Sequence, residues 1–117
     1  MKNPKWTKLE LILLLNYYFE NQKFIEKLNQ KKINSLSINL RKLAKLNGIL
    51  KLDRTFRNPN GILKKLFNLA YLDTSTKFKG LSNHSNLDKE MFYRYVNKKK
   101  QLAYFSKNLS KLIAHIK

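Results

Sequence analysis

Arg57, Asn58, Asn60 and Gly61, followed within two helical turns by Lys64, Lys65 and Asn68, are the residues of this chain whose types and spacing best suit chemistry. That chemistry is recognition. Arg and Asn each present two hydrogen-bonding groups to a base edge, Arg to guanine and Asn to adenine. Lysines serve phosphates, a helix N-terminus offers free N–H groups to an anion, and glycine lets a backbone approach closely. Local structure explains part of the stretch: Asn58 is a good N-cap and Pro59 suits the first helical position. A cap requires neither Arg57 nor Asn60, so these two are the expected base contacts.

Catalytic chemistry finds no comparable set. The seven carboxylates, Glu10, Glu20, Glu26, Asp53, Asp73, Asp88 and Glu90, are scattered along the chain, whereas metal-dependent hydrolysis needs several acids or histidines around one ion. Asp88 and Glu90 are better explained as charges favoring a helix N-terminus. His84 and His115 are the only histidines and lack ligand spacing, and Cys is absent. The sequence therefore excludes a disulfide framework, a thiolate nucleophile and a Cys-based zinc site. No catalytic residue, metal or cofactor is expected, and no phosphate-cradling Gly loop is present.

These residues must be positioned by helices. "KWTKLELILLLNYYFENQ" reads as the first helix, with Thr7 and Glu10 forming a T-x-x-E capping box immediately before its apolar run. Its apolar residues nearly encircle it, which places it at the center of a domain. Trp6 precedes the cap, where it can pack back as a staple. "FIEKLNQKKINS" reads as a short basic helix turn or connector. Leu36, Leu40, Leu43 and Ala44 mark a second helix, stopped at Gly48. The third helix begins at Asn58 and Pro59. Ile62, Leu63, Leu66, Phe67, Leu69 and Ala70 fill one arc, and Gly61, Lys64, Lys65, Asn68 and Tyr71 the other. "LDKEMFYRYV" is a fourth helix capped by Ser85 or Asn86. A fifth carries Leu102, Phe105, Leu109, Leu112, Ile113 and Ile116 as its apolar stripe. The fold class expected is all-α: a tri-helical, helix-turn-helix-like core with two additional C-terminal helices, in one domain spanning all 117 residues.

The balance of 25 Lys and Arg against seven acids gives a net charge of +18. Only four of the basic residues are Arg, and Asn is abundant, as an A/T-rich genome would encode. Such bias also supplies Glu, and Glu is scarce here, so a polyanionic partner, nucleic acid foremost, is the stronger reading. "LILLL" falls far short of the ~20 apolar residues of a membrane span, and no signal peptide is visible. No membrane partner is expected, and the chain reads as cytoplasmic.

The order "KWTKLELILLLNYYFE", "SLSINLRKLAKL", "FRNPNGILKKLFNLAYLD", "GLSNHSNLDKEMFYRYVNKKKQLAYFSKNLSKLI" resembles the N-terminal DNA-recognition module of bacterial McrA-like HNH restriction endonucleases, from Trp6 to about Ile113. The most specific match is Phe56, Arg57, Asn58, Pro59, Asn60, Gly61, Lys65, Asn68, Leu72 and Asp73. The first three helices also distantly resemble Myb/SANT repeats. The resemblance implies a module that reads DNA, including modified cytosine such as 5-methylcytosine, for a nuclease. No HNH motif follows in this sequence, so the nuclease would be fused or separate. The expectation is therefore a double-stranded DNA-binding module without enzymatic activity of its own, monomeric or weakly dimeric. Its contacts are expected at Arg57, Asn58, Asn60, Gly61, Lys64, Lys65 and Asn68, with Lys77, Lys79 and Asn83 in the following loop holding the backbone. The alternatives are a standalone transcription regulator or phage DNA-binding protein, and an adaptor whose basic face meets an acidic protein.

Overall fold

A computed structural model describes residues 4–22, 28–46, 48, 52–75 and 80–116. It is all-α, with no strand among the described residues. The helices are α1 (Lys8–Glu20), α2 (Gln30–Leu46), α3 (Pro59–Tyr71), α4 (Asn86–Tyr95) and α5 (Lys99–Ala114). α1 opens with the expected capping box: Thr7 N donates to Glu10 Oε1 at 2.9 Å and Glu10 N donates to Thr7 Oγ1 at 3.3 Å. Leu11, Leu13, Leu14, Leu15, Tyr17 and Tyr18 are all buried, so apolar contacts nearly surround the helix. Only a central position accommodates that, and α1 packs against each of the other four helices. Fully burying one such side chain stabilizes by about 1.5–3 kcal/mol.

α2 starts earlier than its sequence pattern indicated. Residues 30–35, read as a separate short helix turn or connector, form its first turns. The cause is one continuous buried stripe, Ile33, Ser37, Leu40, Leu43 and Ala44, at helical spacing. α2 packs on α1 and α3, and α3 on α1. α2 ends at Leu46 and α3 begins at Pro59; between them the structure describes residues 48 and 52–58. The latter run is held by α2. Arg41 Nη1 donates to the carbonyls of Asp53 (3.1 Å) and Phe56 (2.6 Å), and Ser37 Oγ donates to that of Arg57 (2.7 Å).

α3 is capped by Asn58, whose Oδ1 accepts from Gly61 N at 2.7 Å, with Pro59 at its first turn. At α4 the cap is Ser85, and Asn86 is the first helical residue. α5 buries only Leu102, Ser106, Leu109 and Ile113. This register turns Phe105 (37% exposed) and Leu112 (62% exposed) outward, away from the apolar stripe expected of them. No helix among the described residues is long and apolar enough to cross a membrane.

Candidate nucleic-acid interface

Arg57 does not reach outward. It is 5% exposed, and its guanidinium grips Glu10 with both arms: Nε to Oε2 at 2.6 Å and Nη2 to Oε1 at 3.1 Å. Nη2 also donates to the carbonyls of Pro4 (2.9 Å) and Lys5 (3.1 Å). The group lies between two rings, 4.1 Å from the Trp6 centroid and 4.4 Å from that of Phe56. Its backbone stands at φ 48°, the only positive φ of a non-glycine among the described residues. Holding such a conformation costs about 1–3 kcal/mol and persists only where surrounding contacts fix it. The base-reading role expected of Arg57 is therefore corrected: its hydrogen-bonding edge is directed into the protein.

Lys65 is corrected likewise. Expected on the polar arc, it is 9% exposed and its Nζ donates to Asp88 Oδ2 at 2.9 Å. The buried face of α3 thus comprises Ile62, Lys65, Leu66, Leu69 and Ala70, while Leu63 and Phe67 are only half-buried. One construction is used twice. Glu10 and Asp88 are each the third residue of a capped helix and each close a capping box, with Thr7 and Ser85 respectively. Each also takes a buried cation from the α3 segment. Trp6 lies beside both cations, with Lys65 Nζ 5.7 Å from its centroid. α3 is thereby pinned at its lead-in and at its middle to the N-termini of α1 and α4.

The far half of the outer arc is covered by the loop that follows α3. With its amide oriented to satisfy both ends, Asn68 donates to the carbonyls of Leu81 (3.2 Å) and Asn83 (3.3 Å). Leu81 N donates to Phe67 O at 3.0 Å, and His84 stacks on Tyr71 at 5.6 Å between centroids. Gly80, at φ 65°, lies so close that a Cβ there would stand 2.3 Å from Phe67 O. Asn68 consequently holds a loop, and Asn83 lends it a carbonyl while its side chain stays exposed. Gly61 makes room for its own cap, since a Cβ would meet Asn58 Oδ1 at 3.1 Å. Lys77 and Lys79 lie outside the described residues.

Apart from Tyr71 at its end, what remains open on α3 is its first half, where Asn60 and Lys64 are exposed. They have neighbors that the sequence reading missed. Gln30 at the start of α2 lines one crevice of about 130 Å³ with Pro59, Asn60, Leu63 and Phe67 of α3. The N-termini of α2 and α3 therefore come together, and Lys31 and Lys32 are exposed on the first turn of α2. Neither helix has an acid in its first turn, whereas α1 and α4 each do. Two helix N-termini with no acidic neutralization attract anions. The signal for this was available: "NQKK" carries an Asx start and two lysines. It was lost because residues 30–35 were not joined to the second helix.

The distribution of acids strengthens the field. Glu10, Asp73 and Asp88 are buried. Asp73 accepts from the Tyr18 hydroxyl, Gln22 Nε2, and Ser75 N and Oγ. Burial pushes its carboxyl up, but the hydrogen bonds from Ser75, Tyr18 and Gln22 outweigh this and hold it below the ordinary carboxylate value. The Tyr18 phenol is pushed up, by burial first and then by Asp73. At the surface, Asp53 Oδ1 accepts from Thr55 N and Oγ1, Glu90 pairs with Lys8 and Arg94, and Glu20 accepts from Asn16. Every described carboxylate thus has a partner within the chain, and the positive surplus is on the surface. No group of three metal-ligating side chains occurs among the described residues. Compared with family models, curated proteins and solved structures, the chain finds no match.

Proposed function

We propose that this chain is a double-stranded DNA-binding module that lends sequence or cytosine-modification specificity to a restriction nuclease, fused or separate. The observation that carries the DNA reading is the pairing of the acid-free N-termini of α2 and α3, with Lys31, Lys32, Asn60 and Lys64 exposed there. The resemblance to McrA-like modules supports the nuclease partner. Asn60 is the base-reading residue of this proposal, Lys31, Lys32 and Lys64 its phosphate contacts, and the two ion pairs keep α3 in place without touching DNA.

The test is titration of duplexes carrying plain, methylated and hydroxymethylated cytosine across a salt series. Log affinity should fall with log salt by about 0.9 per phosphate neutralized. Lys64→Gln and Lys31→Gln should each lower that slope by roughly one such contact and weaken all sites alike. Asn60→Ala should flatten the preference between sites by about 1–3 kcal/mol. Negligible affinity for every duplex at physiological salt would overturn the proposal.

A further inference from the structure

We propose that the outward face of α5 is a second nucleic-acid surface, built for a single strand rather than a duplex. α5 buries one narrow stripe and leaves the rest of its circumference open. Lys100, Tyr104, Lys107 and Lys111 recur along the open side at i, i+4, i+7 and i+11, which is a single row on a helix. The row extends about 16 Å along the axis. All four residues are exposed, Tyr104 most of all at 63%. Phe105, Asn108 and Leu112 form an exposed row beside it, and the Tyr104 and Phe105 rings lie 6.1 Å apart.

Charge and ring chemistry together select the occupant. α5 contains no acidic residue, and Lys100, Lys107 and Lys111 pair with no carboxylate among the described residues. Across the adjoining groove stands Glu20, which accepts from Asn16. A second copy of so cationic a chain is repelled. A row of lysines interrupted by protruding rings matches a phosphate backbone whose bases are free to stack, and each unpaired base presents a π-face that a duplex keeps inside. This surface lies on a different helix from the α2 and α3 N-termini, so it is independent of the duplex reading.

The experiment is fluorescence anisotropy of the full chain with labeled oligothymidine and oligouridine of about 16 nucleotides, and with a duplex of equal length. Both strands should bind, the tighter one indicating whether DNA or RNA is the natural ligand. Tyr104→Ala should weaken strand binding about tenfold while leaving the duplex affinity unchanged, and Tyr104→Phe should retain the strand. Lys107→Gln and Lys111→Gln should each reduce the salt slope by about 0.7. Asn60→Ala and Lys64→Gln should leave strand binding intact. Strand binding by Tyr104→Ala equal to wild type would overturn the proposal. So would parallel losses on strand and duplex, or a Tyr104-dependent preference for anionic lipid vesicles over the oligonucleotides.

Discussion

Glu10 shows how a residue legible in one role can conceal another. Its capping box was plain from Thr7 and the three-residue spacing, because a cap is a local contact. Its second partner, Arg57, is 47 positions away, and no local pattern reveals such a pair. Arg57 was read as a DNA contact because the cap did not need it; the ion pair does. Breaking a buried pair leaves an uncompensated charge and costs about 3–5 kcal/mol. Arg57→Leu and Glu10→Gln should each lower the unfolding free energy read from urea titration by an amount of that order. The double variant should lose clearly less than the sum, as a double-mutant cycle reads. Additive losses would exclude the coupling. Asp73 gives a pH dependence. Its carboxyl is depressed in the folded state, so its contribution to stability is complete above the unfolded value of about 3.9 and is lost as pH falls through the folded one. Urea midpoints of the wild type should decline through that window, and Asp73→Asn should lack this component.

At the scale of elements, the apolar pattern located all five helices, and the caps at Thr7 and Asn58 were read correctly. It failed at faces. The buried side of α3 is turned toward Lys65 because Asp88 waits there, and a lysine among apolar residues looks solvated until its partner is known. The buried side of α5 is turned toward Ser106 because a narrow seam fits the neighboring helices. The loop covering the end of α3 was unreadable as well, since Asn68 and His84 look solvated until the loop carbonyls and the Tyr71 ring that meet them are known. Gly80 tests that attachment. Gly80→Ala adds a left-handed penalty of about 1–2 kcal/mol and a clash with Phe67 O and Tyr71 N. Gly48→Ala, at φ 82° with nothing within 4 Å of the added Cβ, adds only the penalty. Gly80→Ala should therefore lower the urea midpoint more; equal effects would mean that the loop is not seated on α3.

At the scale of the whole molecule, the net charge was read directly from the composition, but its placement was not. Composition cannot reveal that three of the six described Asp and Glu side chains are buried, nor that acids guard the starts of α1 and α4 and leave those of α2, α3 and α5 bare. The all-α class was accessible because helix periodicity is local. The salt slope of duplex affinity belongs to this scale, because it counts phosphates met by the whole surface rather than by any one lysine.

Trp6 is the only tryptophan in the chain, and it sits against the two cations that fix α3. Indole emission responds to charges at such distances. The protein therefore carries its own optical reporter at the point where three helices are joined. Loosening of α3 would change its color or intensity, and events confined to the outer face of α5 would leave it dark to change.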